Sequence, residues 1–205
     1  MFKPNKTNQK VILLCGGEGS LRSISNLLNE VDSFVPATLL FISEFSPTML
    51  KIFFDKYERI SKIPVKCLTD EYEVLQPGTL YVMSHTQVAE FNSYENYLTY
   101  HPIEFDYKIS LDDYSSKLAS ICGKNLFAVM LSGRGSTGVE GFGEIMEKGG
   151  LVLSELPQES VCQEKPFITL FQNKAHGAIS GSDLIFHLKD LNKEPVVNYE
   201  RSTYL

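Results

Sequence analysis

The stretch that decides the fold runs from Val11 to Leu28 and is VILLCGGEGSLRSISNLL. An apolar run is followed by a glycine-rich turn and then by apolar residues at helical spacing, which predicts a buried strand, a tight turn and an amphipathic helix. In a parallel α/β sheet, ligands usually bind at the turn that follows such a strand. This turn, Gly16 to Ser20, offers no obvious nucleophile, and we expect Ser20 to be the N-cap of the helix.

Short apolar runs of the same kind recur along the chain and alternate with amphipathic helices. Several are apolar nearly throughout, as strands buried on both faces of a sheet should be. The predicted strands are Val11–Cys15, Ala37–Ile42, Val65–Leu68, Leu80–Ser84, Leu126–Leu131 and Leu151–Ser154.

Helix starts are marked by Ser46-Pro47 and by Ser110 with Asp113, which resembles a capping box. Residues 69–109 lack the regular alternation and predict an antiparallel hairpin excursion. The fold class is therefore α/β, a doubly wound and mostly parallel sheet flanked by helices.

Length and composition favour one domain over residues 11–191, with a flexible N-terminal arm at 1–10 and a C-terminal tail at 192–205. The chain has 205 residues, of which 43% are hydrophobic and 21% charged. A net charge of −6 without a long basic block argues against nucleic acid or an anionic membrane as partner. No apolar run is long enough for a membrane span, so we expect a cytoplasmic protein without membrane insertion.

The four cysteines are far apart in sequence and form no CxxC pair. This spacing favours buried free thiols over a disulfide framework or a zinc site. They are Cys15, Cys67, Cys122 and Cys162. We predict no metal and no cofactor.

A second glycine-rich turn, LSGRGSTGVEG at residues 131–141, also follows a predicted strand. Gly133, Gly135 and Gly138 satisfy GxGxxG, which by itself is weak support for a dinucleotide site. The nearest acidic candidate for a ribose contact is Glu155, which is not predicted to end a strand in the required way. Binding of NAD is therefore disfavoured.

Taken together, the two turns and their neighbours resemble the catalytic domain of the chemotaxis receptor methylesterases (CheB) over most of residues 11–187. The most specific segment is FAVMLSGRGSTGVEGFGEIMEKGG. Supporting segments are LLFISEFSPTMLKIFFDKY, LQPGTLYV and HPIEFDYKISLDDY. The resemblance implies the fold of the CheB C-terminal domain. For intact family members it also implies a serine-histidine-aspartate triad that hydrolyses glutamate methyl esters and deamidates receptor glutamines.

Carried over by position, the three members of that triad fall on Gly17, Glu44 and Thr137. None of them is the expected residue, so we predict a catalytically inactive homologue. It would act as a binding, scaffold or regulatory protein in a bacterial chemosensory or related signalling assembly. The partner would be a protein, for instance a chemoreceptor. Thr137 is expected either to hydrogen-bond Glu44 or to cap the following helix.

The alternative is a hydrolase whose nucleophile has moved, for instance to Cys15 or Ser20. None of His85, His101, His176 and His187 falls where a general base would be needed. If the protein binds instead, we expect Glu18, Glu44 and Arg134 to lie near one another and to hold an anionic group. The full candidate set is Glu18, Gly19, Ser20, Glu44, Arg134, Gly135 and Ser136.

Two further expectations concern the ends of the chain. Only about ten polar residues precede the first strand, so we expect no receiver domain of the kind that full-length methylesterases carry. The tail holds several apolar residues and is a candidate docking segment. They are Val196, Val197, Tyr199 and Tyr204.

Overall fold

The structure is a computed structural model that describes residues 6–31, 34–103, 109–191 and 195–197. The strands are β1 Val11–Gly16, β2 Thr38–Ser43, β3 Val65–Cys67, β4 Glu73–Leu75, β5 Leu80–Ser84, β6 Ala89–Tyr94, β7 Tyr97–Pro102, β8 Leu126–Met130, β9 Leu151–Glu155 and β10 Gly177–Ile179. The helices are α1 Ser20–Glu30, α2 Pro47–Phe54, α3 Tyr57–Ile60, α4 Leu111–Cys122, α5 Val139–Glu147, α6 Glu164–Phe171 and α7 Gly181–Lys189.

Seven strands form one parallel sheet in the order β10-β9-β8-β1-β2-β5-β3. The chain builds outward from β1 to one side through β2, and later returns to build outward through β8, β9 and β10. The order therefore reverses between β1 and β8, and doubly wound sheets bind their ligands at the carboxyl ends of the strands at such a point. The predicted fold class is confirmed.

The first strand shows why its sequence is apolar on both faces. Ile12 and Leu14 pack into a core beneath α1, α2 and α7, whereas Leu13 and Cys15 pack into a core beneath α4 and α5. Side chains alternate between the two sides of a strand, so a strand covered on both faces needs apolar residues at every position.

The antiparallel excursion predicted for residues 69–109 is confirmed only in part. A second sheet of three strands has the order β4-β7-β6, whereas β5 of the same range pairs in parallel with β2 and β3 in the main sheet. Phe91 and Tyr100 anchor the second sheet in the core on the α4 side, with ring centroids 5.9 Å apart. The segment that begins at His101 was expected to approach α4 without regular structure, but His101 and Pro102 lie within β7. Part of that approach, residues 104–108, lies outside the described residues.

Two of the three predicted helix N-caps are confirmed. Ser46 accepts a hydrogen bond from Met49 N (3.3 Å), and Ser110 forms a complete capping box with Asp113. The N-cap prediction for Ser20 is wrong, because Gly19 caps α1 with a φ of 90° and Ser20 is the first helical residue. The buried Ser20 hydroxyl donates to the carbonyl oxygen of Gly17 at 2.7 Å. Only glycine takes this left-handed conformation without strain, so the cap moves one residue earlier.

Part of the predicted flexible arm is held against the domain. Thr7 is 2% exposed and its N–H donates to Ile121 O (3.2 Å). The Gln9 side chain donates to Leu75 O (2.8 Å) and accepts from Leu98 N (2.7 Å), which ties residues 6–10 to the small sheet. In the predicted tail, Val196 and Val197 are exposed, and Tyr199 and Tyr204 lie outside the described residues.

The last third of the domain holds elements that the sequence patterns did not predict, namely α6, β10 and α7. Among the described residues, no helix has both the length and the apolar character needed to cross a membrane.

Candidate functional site

The candidate site lies where the turns after β1 and β8 meet, at the carboxyl edge of the sheet. The Gly17 N–H donates to Ser132 O at 2.9 Å, which brings the two turns into direct contact. Glu44, the first residue after β2, donates its N–H to Gly16 O at 3.2 Å and so joins them. We call Gly17, Glu44, Thr137 and Lys165 together the β1–β8 site.

Gly17 has no room for a side chain. A Cβ at this position would overlap the Glu44 carboxylate, with Oε2 the nearest atom and Cδ at 3.1 Å. As long as Glu44 keeps this orientation, the turn after β1 cannot present a nucleophile from residue 17.

Glu44 is held in that orientation by Lys165, a residue that the sequence analysis did not single out. Lys165 Nζ lies 2.9 Å from Glu44 Oε1 and 2.7 Å from the carbonyl oxygen of Thr137. The Lys165 side chain is fully buried, and that of Glu44 is 26% exposed. A buried ammonium group is tolerated only when it is paired and hydrogen-bonded, so this pair depends on its geometry.

The Lys165 side chain extends into the β1–β8 site from the start of α6, because the backbone there is hydrogen-bonded to the turn after β8. The backbone N–H of Lys165 donates to Gly133 O at 2.9 Å. A Cβ on Gly133 would lie 2.8 Å from Lys165 Cε, so the buried side chain passes where only glycine leaves space.

Both expectations for Thr137 fail. Its carbonyl oxygen, and not its side chain, contributes to the site, and it accepts from Lys165 rather than bonding Glu44. The N-terminus of α5 is capped by Asp112, whose carboxylate accepts from Gly138 N (3.1 Å) and Gly141 N (2.8 Å).

Arg134 and Glu18 form an ion pair at the surface of this site, with side chains 72% and 55% exposed. The hydrogen bond from the Arg134 guanidinium lowers the pKa of the Glu18 carboxyl below its ordinary value. The expected trio of Glu18, Glu44 and Arg134 is divided, since the ion-pair partner of Glu44 is the buried Lys165 and that of Glu18 is Arg134.

The remaining candidate residues lie in the two glycine turns. At several of these positions glycine is required by the backbone conformation or by close packing. Gly19 and Gly135 have φ values of 90° and 66°. A Cβ on Gly16 would lie 2.5 Å from Ser20 Cβ. Glycine content in these turns is therefore explained by backbone geometry and close packing. Ser136 O accepts the hydrogen bond of Val139 N at the start of α5.

The two proposed replacement nucleophiles are both completely buried. Cys15 is 0% exposed, and burial raises the pKa of its thiol far above the usual range. Ser20 is 0% exposed, with its hydroxyl engaged by Gly17 O. Neither is accessible to a substrate in this conformation.

Each histidine contacts a backbone carbonyl, a hydroxyl or an aromatic ring of the protein. His85 follows β5, with Nδ1 3.1 Å from Ser43 O, and His176 Nδ1 lies 3.1 Å from Val152 O. His101 contacts Thr99 Oγ1 at 3.1 Å, and the ring of His187 packs edge-on against Phe127.

Burial of the thiols is only partly as predicted. All four cysteines are free, but Cys67 and Cys162 are partly exposed. Among the residues that the structure describes, no group of three or more His, Cys, Asp or Glu side chains is arranged to hold a metal ion.

Glu155 is the last residue of β9, so the expectation that it would not end a strand is wrong. Its carboxylate accepts from Ser132 N (2.8 Å) and from the hydroxyls of Ser160 (3.0 Å) and Ser23. It therefore binds the protein's own turn. The first glycine of the GxGxxG pattern lies against Lys165, which leaves no close approach there for a pyrophosphate.

A parallel sheet with glycine turns meeting at its topological switch point defines an α/β protein of the doubly wound class. The family model described as CheB methylesterase matches residues 12–181, so the chain belongs to the CheB methylesterase family.

Relatives in sequence are named protein-glutamate methylesterase/protein-glutamine glutaminase. One from Photorhabdus laumondii is 28% identical over 158 residues, covering 75% of this chain and 45% of the relative. Another, from Caldanaerobacter subterraneus, is 25% identical over 171 residues, covering 79% of this chain and 46% of the relative. The chain thus spans about half the length of these relatives.

The fold is also that of a solved structure, the CheB methylesterase catalytic domain of Thermotoga maritima. The TM-score is 0.81 at 20% sequence identity, with 90% of this chain and 100% of that chain covered.

Lys165 is the main site residue that sequence reasoning missed. In the segment QEKPF it precedes a proline and resembles any charged residue in the first turn of a helix. No local signal marks it as buried, because its burial depends on a turn that lies about thirty residues earlier in the chain.

Proposed function

We propose that this chain is a catalytically inactive member of the CheB methylesterase family that serves as a protein-binding component of a bacterial signalling assembly. The observation that carries the proposal is the Glu44 carboxylate, fixed over Gly17 by the buried Lys165. The place where a family nucleophile is expected holds an ion pair instead.

The chemistry of ester hydrolysis supports inactivity. A serine-type mechanism needs a hydroxyl, a base that removes its proton and a group that orients the base. Gly17 supplies no hydroxyl, and the Glu44 carboxylate is already engaged by the ammonium group of Lys165. Removal of a complete triad leaves at most the small rate enhancement of the remaining backbone donors.

The alternative, a hydrolase with a relocated nucleophile, is the weaker candidate. Cys15 and Ser20 are both buried, and the raised pKa of Cys15 keeps the thiol protonated at neutral pH. A catalytic thiol is expected in the opposite environment, partly exposed and electropositive.

We place the partner-binding surface at the carboxyl edge of the sheet. Arg134 and Glu18 are exposed there and pair with each other, so a charged partner can exchange for either. The relatives are named for action on protein glutamates and glutamines. A chemoreceptor or a related signalling protein in the cytoplasm is therefore the partner we propose.

Two measurements on the purified chain test the proposal. Methanol release from methylated chemoreceptor should be at background, while receptor fragments should be retained on immobilised protein. Ester turnover, or labelling of a single residue by a serine- or cysteine-directed hydrolase probe, would instead support the relocated site.

A further inference from the structure

A groove of about 610 Å³ lies between α1 and α7, above the carboxyl ends of β8, β9 and β10. It is on the α1/α7 side of the sheet and is lined by none of the four residues of the β1–β8 site. Its volume is within the range of small-molecule sites, which lie preferentially at this edge of an α/β sheet.

A buried carboxylate lines this groove. Glu155 is 7% exposed, and its three hydrogen-bond donors are two hydroxyls and one backbone N–H, all of them neutral. Within the described ranges Glu155 forms no ion pair. A carboxylate has about four acceptor positions, so one remains for a further donor. A buried negative charge without a cation is strongly stabilised by a cationic ligand.

The rest of the lining favours the same kind of ligand. Glu30 and Glu159 add negative charge, and Arg22 contributes a cation. Three carboxylates against one guanidinium leave the groove negative. Apolar side chains of the same lining offer a surface for an aliphatic chain. They are Leu27, Val129, Leu131, Ile179, Leu184 and Ile185.

We propose that the α1–α7 groove binds a small aliphatic amine. Its ammonium group is held by Glu155 and its hydrocarbon chain lies on the apolar side chains of the lining. The proposal is independent of whether the β1–β8 site is catalytic.

Three ligands of equal chain length test the charge requirement. Pentylamine carries an ammonium at pH 7, as a lysine side chain does, whereas pentanol is neutral and pentanoate is an anion. Each ligand is titrated into the full chain, and binding is measured by calorimetry and by the NMR shifts of groove residues. We expect saturable binding of pentylamine only. Equal binding of pentanol, or no saturable binding of pentylamine, would overturn the proposal.

Two variants locate the site. Glu155→Gln should weaken pentylamine binding about tenfold or more, because a charge-assisted hydrogen bond is lost. Asn26→Lys places a cation on the exposed rim without touching the core and should weaken binding about two- to fivefold. The control, Asn92→Lys on β6 of the small sheet, adds the same charge outside the groove lining and should bind as wild type. If Glu155→Gln does not fold, unchanged binding by Asn26→Lys is sufficient to refute the site.

Discussion

Lys165 Nζ lies 2.9 Å from Glu44 Oε1, and the lysine side chain is fully buried whereas a quarter of the glutamate remains exposed. Removal of one member of the pair therefore has a different consequence from removal of the other. Loss of the lysine leaves a carboxylate that water can reach. Loss of the glutamate leaves a buried ammonium group that still donates to the Thr137 carbonyl but has lost its counter-charge.

This asymmetry predicts the effects of single substitutions on stability. Glu44→Gln should lower the free energy of unfolding by about 3 kcal/mol or more, and Lys165→Met by about 1 kcal/mol or less. Lys174→Met, which removes a more exposed pair with Glu140, is the control and should change it by less than about 0.5 kcal/mol. Urea denaturation measures all three, and equal small losses at positions 44 and 165 would contradict the buried pair.

The wild-type chain should not act as a methylesterase. If Gly17, Glu44 and Thr137 are at the positions of the family triad, as we propose, methanol release should be at background in an assay with methylated chemoreceptor. An intact family member is the positive control. A rate within about a hundredfold of that control would require a mechanism that these residues do not supply.

Restoration of a triad needs a fourth change that only the structure indicates. Gly17→Ser, Glu44→His and Thr137→Asp should be combined with Lys165→Met, because the ammonium group occupies the space beside position 44. If the positional assignment is correct, the carboxylate introduced at 137 raises the pKa of the imidazole introduced at 44. NMR titration measures it, and the same variant without Thr137→Asp is the control. An imidazole that titrates identically in both would show that the assignment is wrong.

Charge reversal at the surface of the site should affect binding but not stability. Arg134→Glu places a second carboxylate beside Glu18 in an exposed position, so we expect an almost unchanged melting temperature and a marked loss of partner capture. Lys66→Glu on β3, one of the two edge strands of the parallel sheet, is the matched control because Lys66 is also exposed and paired. If Arg134→Glu captures the partner as well as wild type does, and truncation at residue 192 abolishes capture, the interface is the tail and not this site.

The thiols should divide into two classes of reactivity. Burial raises the pKa of Cys122 to about 12 and that of Cys15 still further, so neither should react with a thiol reagent in the folded protein at pH 8. Burial raises the pKa of Cys67 to about 11, so its rate should increase about tenfold per pH unit up to that value. Mass spectrometry of partially labelled protein identifies the sites, and rapid modification of Cys15 would support the relocated nucleophile.

Local sequence patterns predicted a strand or a helix cap correctly wherever the burial or hydrogen bonding of a segment depends on its own residues. The run Val11–Cys15 is apolar at every position and ends at a glycine turn, which is typical of a short strand covered on both faces. The capping box of Ser110 and Asp113 lies within one turn of chain and was equally predictable. The cap at Ser20 was mispredicted because the left-handed backbone of Gly19 competes for the same role, and sequence spacing does not show which residue takes it.

The sequence by itself determined the mostly parallel sheet and the two glycine turns at its carboxyl edge. Both depend on the spacing of residue types along the chain, whereas the assignment of Gly17, Glu44 and Thr137 to the family triad is a prediction from resemblance. Only the tertiary structure decided that Glu44 pairs with Lys165 rather than with Arg134, and that Glu155 lines a groove. The reason is physical, since the partners of these charges come from distant segments that the fold alone brings within hydrogen-bond distance.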